Sequence, residues 1–258
     1  MIEITNDETY GWEAAIRGMR NPMNSWNKSD SYDHSPMMDE DDFEEYKQDG
    51  SISPLAKYCS DPLSLHNTMF VIGDNDLSLM KKLAKAGTDH RKFMRMITVS
   101  CDITAPLYWW KEFDTYKVGT VANSCSTMHK IQAKEFTIDD FSREHLDDSA
   151  TQGFGIRDGL TGEYSGIDIS SVGVLQFICD VLNMCRYRYL ETKDKKYWWQ
   201  MIQLLPSSYN QKRTVMLNYE VLANIYKSRR NHKLDEWHTF CDWIENLPYP
   251  ALITGKEE

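Results

Sequence analysis

The sequence predicts an α+β fold in a single domain that spans residues 1–258. Apolar residues recur at helical spacing in several segments, other segments resemble strands, and the two kinds are interleaved without a repeat or a linker. The length is ample for a buried core. Residues 21–62, rich in Asn, Ser, Pro and acidic residues, are predicted to form a solvated acidic loop with a short helix. A metal site would need spaced ligands instead of a run of acids.

The segment GDNDLSLMKKLAKAG, residues 73–87, is predicted to be helical. Asp74 or Asp76 can cap its amino end, and Gly87 can end it. Its apolar face consists of Leu77, Met80, Leu83 and Ala84.

The next segment, MRMITVSCDIT (residues 94–104), is predicted to be a half-buried strand with an irregularity at Ile97. Its alternating residues are Met94, Met96, Val99, Cys101 and Ile103. Pro106 then stands where a helix can begin, and the aromatic segment LYWWKEF is predicted to follow as a partly buried turn or helix.

Two polar segments follow in the middle of the chain. In FTIDDFSREHL, residues 136–146, Thr137 and Asp140 can form a capping box, which predicts the start of a helix. TQGFGIRDGLTGEYSG, residues 151–166, is rich in glycine but lacks the spacing and the strand-then-helix context of a dinucleotide fingerprint. We therefore predict a loop there.

The last third of the chain is predicted to be mainly helical. Residues 170–205 have an apolar face made of Val174, Phe177, Ile178, Val181 and Leu182. QKRTVML is a predicted strand, followed by the helix NYEVLANIYKSRR, whose inward residues are Val221, Leu222, Ile225 and Tyr226. HKLDEWHTFCDWIENLP is predicted to be the last helix, ended by Pro248.

Composition excludes several classes of function. A net charge of -10 argues against a surface for duplex nucleic acid, which needs clustered Lys and Arg. No apolar run approaches the roughly 20 residues that span a bilayer, and the first residues do not resemble a signal peptide, so we expect a cytoplasmic protein. The six cysteines form no CxxC pair, which predicts reduced thiols and no zinc site.

General catalytic motifs do not identify a function for this sequence. HExxH, GxSxG and P-loop patterns are absent from the sequence. Cys125 and His129 stand four residues apart, but such a pair is more typical of structure than of a nucleophile and its base. The polar cluster around them, VANSCSTMHK, needs another explanation.

Three blocks, taken in order, resemble the flavin-dependent thymidylate synthases. The first is LMKKLAKAGTDHRKFMRMITVSCDITAP, similar to that family's helix, histidine-bearing turn and strand ending in Ala-Pro. The second, NSCSTMH, looks like a variant of the family's N-E-x-S-x-R-Y. The third runs from LLPSSYNQKRT to NHKLDEW, and its Pro206, Asn218, Asn224 and Arg229 keep the family's spacing without gaps.

The resemblance implies a fold and an activity. The fold would be a central, mostly antiparallel sheet flanked by helices. The activity would be transfer of a one-carbon unit from methylenetetrahydrofolate to C5 of dUMP, giving dTMP, with FAD as cofactor and NADPH as reductant. The family's active sites lie between subunits of a homotetramer, so an oligomer is expected here.

The resemblance also implies roles for individual residues. Arg229 matches the catalytic arginine that binds the substrate base, and Arg230 is the alternative if the register slips by one. The cofactor-binding positions are matched by His90, Asn218, Asn224 and Ser124. The substrate-binding positions are matched by Glu112, Cys125, Ser126 and Thr127, of which the last three would hold the dUMP phosphate.

Departures from the family pattern concern charge. The family's R-H-R signature is absent, Ser124 replaces a glutamate, and Met128 replaces a phosphate-pairing arginine, for which Lys111, Lys117 or Lys130 can compensate. Glu220 stands where the family has arginine, Glu112 where it has glutamine, and Asp114 lies near the lost arginines.

Three alternatives follow from these departures. A carboxylate suits the amino group of cytosine better than the carbonyl of uracil, so the substrate could be a cytosine nucleotide such as dCMP, methylated or hydroxymethylated for a modified viral DNA. A paralogue that binds flavin or nucleotide without catalysis, and a structural protein that binds neither, are the other two.

Overall fold

The computed structural model describes residues 2–34, 69–149, 151–157, 160–162 and 164–256. Its fold is α+β, as predicted. The acidic run MMDEDDFEEYKQDG, the centre of the predicted loop, lies outside the described residues. Residues 21–34 hold two 3-10 turns, Asn21–Met23 and Trp26–Lys28, and the short strand Tyr32–His34.

The described strands form one sheet of four strands and two separate sheets of two strands. They are β1 (Glu3–Tyr10), β2 (Tyr32–His34), β3 (Met69–Val71), β4 (Thr98–Pro106), β5 (Val121–Ser124), β6 (Thr151–Arg157), β7 (Tyr164–Ser170) and β8 (Asn210–Asn218). The central sheet is antiparallel with the order β1-β4-β8-β5, while β2 pairs with β3 and β6 with β7. This confirms the central antiparallel sheet.

Nine helices accompany these strands within the described part of the chain. They are α1 (Trp12–Arg20), α2 (Asp74–Lys85), α3 (Leu107–Phe113), α4 (Thr127–Lys130), α5 (Ser171–Thr192), α6 (Lys195–Leu204), α7 (Tyr219–Arg229), α8 (Asp235–Glu245) and α9 (Ala251–Thr254). Helices α2, α3, α7 and α8 and strand β8 lie where the sequence predicted helices and a strand.

The chain divides into two compact units. Unit 1 comprises residues 1–3, 104–115 and 124–213, and unit 2 comprises residues 4–103, 116–123 and 214–258. That residues 1–258 act as a single domain stays a prediction.

Unit 1 is built on a core beneath helix α5. Its members are Ile131, Phe136, Phe141, Leu175, Cys179, Leu182, Cys185 and Met201. Asn183 fastens the neighbouring loop to this helix, because its amide accepts from Phe136 N at 2.8 Å and donates to Phe136 O at 2.8 Å. The loop that follows α4 is thereby held against α5.

Unit 2 has an aromatic core at the start of α7. Tyr219 is fully buried, packs edge-on against Trp12 with ring centroids 5.3 Å apart, and donates its hydroxyl to Pro248 O at 2.6 Å. This bond satisfies the one polar atom of a large buried ring. The amino end of α7 is therefore fixed from two directions.

The glycine-rich segment was wrongly predicted to be a loop. It forms most of the antiparallel pair of β6 and β7, in register from Thr151 opposite Ser170 to Arg157 opposite Tyr164. Gly155 lies opposite Gly166, and backbone hydrogen bonds can continue through such a position without a side chain. The glycine-rich composition of the segment does not reveal this strand pairing.

Two predicted starts were also wrong. Met94 and Met96 precede β4, because residues Lys92–Arg95 form a 3-10 helix instead, while Val99, Cys101 and Ile103 alternate inward as expected. Helix α2 is capped by neither of its own aspartates: Asp30 accepts from Asn75 N and Asp76 N. A residue distant in sequence supplied the cap.

Helical phase and helix ends account for the other corrections. Lys193, with a φ of 57°, separates α5 from α6, and Leu175, Cys179, Leu182 and Cys185 form the buried face of α5. Phe177 is 63% exposed, because the buried face follows the two cysteines instead.

The capping box of Thr137 is present but opens a single 3-10 turn, and α9 follows the predicted last helix.

Candidate functional site

The predicted phosphate-holding residues lie in one pocket of unit 1. Cys125, Ser126 and Thr127 line a cavity of about 470 Å³ together with residues of α4 and β8. Cys125 is tied to β8 on both sides of its peptide, since its N–H donates to Lys212 O at 2.9 Å and its carbonyl accepts from Gln211 Nε2 at 2.8 Å. Ser126 Oγ accepts from His129 N at 3.0 Å, which caps α4.

Three lysines give this pocket positive charge. Lys130, which we expected to compensate for the missing arginine, lines it with Lys134 and Lys212, which the sequence patterns did not single out. Lys134 forms an ion pair with Asp140, and this hydrogen bond raises the pKa of Lys134. In a chain of net charge -10, such a group of cations favours a local anion.

Aromatic and amide groups complete the pocket. Phe136 is buried, and burial raises the pKa of the neighbouring Tyr209. Asn210 also lines the cavity, and its Oδ1 is buried without a hydrogen-bond partner among the described residues. The pocket thus offers cations, a hydroxyl and an aromatic wall.

Arg213 balances an acid that the sequence analysis singled out. Its Nη1 lies 2.8 Å from Asp114 Oδ1, its Nε donates to Gln211 Oε1 at 3.0 Å, and its guanidinium lies 4.2 Å from the ring centroid of Trp110. One signal in the sequence was overlooked: Arg213 is two residues from both Gln211 and Val215 on β8, so it faces the same side of the strand as these two buried residues. Glu112 lies on α3, partly buried, and Ser124 is the exposed end of β5.

Three of the four predicted cofactor residues, His90, Asn218 and Asn224, lie in unit 2, whereas Ser124 belongs to unit 1. Asn218 is the N-cap of α7, and its Oδ1 accepts from Val221 N at 3.0 Å. Gly119 passes so close that a Cβ there would lie 2.5 Å from Asn218 Nδ2. Asn224, two turns along, is exposed and accepts from Arg91 Nη2 at 3.1 Å.

His90 lies beside this contact in the chain. It is exposed in the turn after α2, where its N–H donates to Gly87 O at 3.0 Å. Its neighbour Arg91 also approaches Glu220, with Nε and Oε2 2.9 Å apart. Glu220, which departs from the family pattern, is therefore matched by a cation from the His90 turn.

The two adjacent arginines at the end of α7 have different surroundings. Arg229 Nε donates to Tyr116 Oη at 2.8 Å, and its guanidinium lies 4.7 Å from the ring centroid of Trp237. Arg230 pairs with Asp242 at 2.7 Å and with Glu245 at 3.3 Å. The aromatic contacts orient Arg229, whereas the carboxylates engage Arg230 in packing against α8.

No helix in the described ranges is long and apolar enough to cross a membrane. The same ranges contain no group of three His, Cys, Asp or Glu residues that could hold a metal ion.

The comparisons with known proteins rest on structure. No protein-family model and no curated protein sequence matches the chain. A flavin-dependent thymidylate synthase, ThyX from Helicobacter pylori complexed with FAD and dUMP, aligns with 99% of this chain and 100% of its own, with a TM-score of 0.59 and 13% identity. A second structure of that enzyme with FAD and dUMP gives the same score and covers 98% of its own chain.

This chain has the flavin-dependent thymidylate synthase fold. The UMP/dUMP methylase PolB from Streptomyces cacaoi, bound with 5-Br dUMP, is also similar, with a TM-score of 0.54 and 14% identity over 99% of this chain and 94% of that one. The predicted fold is thereby confirmed. At these identities the likeness concerns the fold, and the roles of individual residues stay predictions.

Proposed function

We propose that this protein transfers a one-carbon unit from methylenetetrahydrofolate to C5 of dUMP, with FAD as cofactor and NADPH as reductant. The observation that carries the proposal is the setting of Arg229, a guanidinium oriented by Tyr116 and Trp237 at the end of the helix that also bears Asn218 and Asn224. The flavin-dependent thymidylate synthase fold supports it. Homotetramer formation remains a prediction of the resemblance, and a cytoplasmic location remains a prediction of the sequence composition.

The pocket of unit 1 is suited to the nucleotide phosphate. The hydroxyl of Ser126 accepts from His129 N, so its own proton is available for a phosphate oxygen. Lys130 and Lys212 supply charge around the same cavity, whereas Lys134 is paired with Asp140. We assign this pocket to the phosphate of dUMP, since hydroxyl donors and ammonium groups together hold a dianion.

Arg229 is suited to activating the uracil ring. C5 of a pyrimidine becomes nucleophilic when negative charge on the ring carbonyls is stabilised. A guanidinium can stabilise that charge with two parallel hydrogen bonds, and it cannot lose its proton in the process. Because Tyr116 and Trp237 hold it in place, little reorganisation is needed when the charge develops.

The residues of unit 2 fit a flavin. Asn224 and His90 are exposed, and Asn218 adds a second amide at the start of the same helix as Asn224. Amides and an imidazole match the alternating donors and acceptors of a flavin ring. Bound FAD would supply the hydride chemistry, while these residues bind and orient it.

The charges around Asp114 favour uracil over cytosine as the base of the substrate nucleotide. The cytosine hypothesis rested on two acids, Glu112 where the family has glutamine and Asp114 near the lost arginines, and Asp114 is paired with Arg213 at 2.8 Å. A carboxylate that is already paired with a guanidinium gains less from a hydrogen bond to the amino group of cytosine. We therefore propose dUMP and keep dCMP as an outcome of the test.

The test has two stages. First, FAD is added to the purified protein, the excess is removed and the absorption spectrum is recorded; a retained flavin band is expected. Second, release of tritium from C5-labelled dUMP is followed with methylenetetrahydrofolate and NADPH, and C5-labelled dCMP is run in parallel.

Each alternative gives a distinct result. Flavin without tritium release from either nucleotide would indicate a non-catalytic paralogue, and release from dCMP alone would identify the cytosine enzyme. A protein that retains no flavin and releases no tritium from either nucleotide would contradict the proposal and favour a structural role.

A further inference from the structure

One guanidinium joins two residues that lie a turn apart on α7. Glu220 and Asn224 are four residues apart and therefore face the same side of the helix. Arg91, from the turn after α2, reaches both: its Nε lies 2.9 Å from Glu220 Oε2, and its Nη2 donates to Asn224 Oδ1 at 3.1 Å.

The Arg91 and Glu220 side chains are largely removed from water. They are 19% and 8% exposed, and the two facing atoms, Nε and Oε2, are both buried. Their angle does not meet hydrogen-bond geometry, so the contact is an ion pair. Leaving either charge alone in such a setting is costly, which holds Arg91 in position.

The chemistry of arginine decides which way the Asn224 amide points. A guanidinium has only donors, so the Asn224 atom that faces it must be the carbonyl oxygen. The amide nitrogen is then directed away from Arg91, on an exposed residue that the proposed function assigns to the flavin.

We propose that the Arg91 and Glu220 pair is a positioning element that presents the Asn224 NH₂ group as a hydrogen-bond donor to an acceptor of the bound ring. This rests on the proposed flavin site and specifies its chemistry. Asn224 meets a carbonyl oxygen or an unprotonated ring nitrogen of the ligand and rejects a ring N–H. Arg91 and Glu220 act through Asn224 and need not touch the ligand.

The decisive variant is Asn224→Asp in the full-length protein. A carboxylate keeps an acceptor for Arg91, so the melting temperature should stay close to that of the wild type. It offers no donor to the ring, so FAD should bind on the order of 10- to 100-fold more weakly, as when a ligand acceptor loses its partner. Both are measured, by thermal unfolding and by fluorescence titration with FAD.

Arg91→Lys provides a second, independent variant. Its ammonium can still pair with Glu220, but a point charge lacks the fork that reaches two acceptors, so Asn224 loses its orientation. We expect weaker FAD binding and a shifted flavin absorption band, a change that a purely structural residue would not cause. Arg20→Lys is the matched control: it makes the same substitution in another buried arginine–carboxylate pair of unit 2, that of Arg20 with Asp76, and should leave FAD binding unchanged.

The outcomes separate the two proposals. If the wild type binds FAD and both Asn224→Asp and Arg91→Lys bind it with undiminished affinity, the positioning role is overturned and the proposed function stands. A wild-type protein that binds no FAD would overturn both.

Discussion

Cys125 is the exposed thiol among the five cysteines that the structure describes. The buried ones are Cys101, Cys179, Cys185 and Cys241. Burial raises the pKa of Cys101 to about 12 and that of Cys241 to about 11, so these two have almost no thiolate at neutral pH. Cys125 lines the pocket that we assign to the nucleotide phosphate.

The exposure of Cys125 predicts selective labelling. Near neutral pH, iodoacetamide should modify Cys125 before the four buried thiols, and dUMP should slow this reaction because it occupies the same pocket. Peptide mass spectrometry over time measures both effects. A Cys59→Ser background removes the sixth cysteine of the chain from the comparison. Labelling that dUMP does not slow would place the nucleotide elsewhere.

Arg229 and Arg230 allow a matched comparison of two adjacent arginines. Arg229→Lys should lower turnover by about 10²- to 10³-fold, the loss typical of removing one donor to a developing negative charge. Its melting temperature should change little. Arg230→Lys should instead lower the melting temperature, because it disturbs the pairs with Asp242 and Glu245, and turnover should persist. The reverse pattern would assign catalysis to Arg230.

At the scale of elements, Asn218 has a structural task besides its proposed cofactor role. As the N-cap of α7 it satisfies the N–H of Val221 at 3.0 Å. Loss of such a cap costs about 1 kcal/mol. A simple alanine substitution would therefore confuse stability with cofactor binding.

Two substitutions separate the roles of Asn218. Asn218→Asp should keep the cap and the melting temperature, because a carboxylate oxygen also accepts from Val221 N, but it should weaken FAD binding by removing the amide donor. Asn218→Ala should lower both. Thermal unfolding and FAD titration distinguish them, and unchanged FAD affinity in Asn218→Asp would leave Asn218 with the cap alone.

The α5 region shows how an element can be predicted in kind but only partly in phase. The helical residues were recognised and Leu182 is buried as predicted, yet Phe177 was placed inward and is exposed. Two buried cysteines, Cys179 and Cys185, set the inward face instead. Cysteine is a small apolar residue, so two cysteines mark the buried face of a helix less clearly in a sequence than a phenylalanine does. The residues that pack against α5 therefore decide which of its faces is buried.

At the scale of the whole molecule, a buried ion pair joins distant parts of unit 2. Arg20 Nε lies 2.6 Å from Asp76 Oδ1, with side chains 4% and 0% exposed. The hydroxyls of Ser29 and Ser31 donate to Asp76 Oδ2 at 2.6 and 2.7 Å. Burial alone would raise the pKa of Asp76, but the hydrogen bonds from Ser29, Ser31 and Arg20 outweigh it and lower the pKa.

This network predicts how stability depends on pH. A carboxyl whose pKa is lowered by folding stabilises the native state fully above its unfolded pKa, near 4, and this contribution is lost as the pH falls through the lower folded value. Asp76→Asn should cost about 3–5 kcal/mol at neutral pH, since it leaves Arg20 buried without a counter-charge. It should also remove part of the acid dependence.

Urea unfolding at several pH values measures this dependence. Asp242→Asn is the control: it breaks a half-exposed pair with Arg230 and should cost less than about 1 kcal/mol. Equal losses for the two variants would show that the buried network does not govern acid stability.

By itself, the sequence determined the fold class, most helices, the inward residues of β4 and α7, and the likeness of the Asn218, Asn224 and Arg229 set to a known family. These features depend on local periodicity and on spacing within a single helix, which the chain carries wherever it folds. Only the tertiary structure decided the pairing of β6 with β7, the phase of α5, the capping of α2 by Asp30, and the partners of Arg213 and Arg91. Each of these features either joins residues that are far apart in sequence or depends on what packs against an element. Local periodicity and spacing carry no information about such contacts.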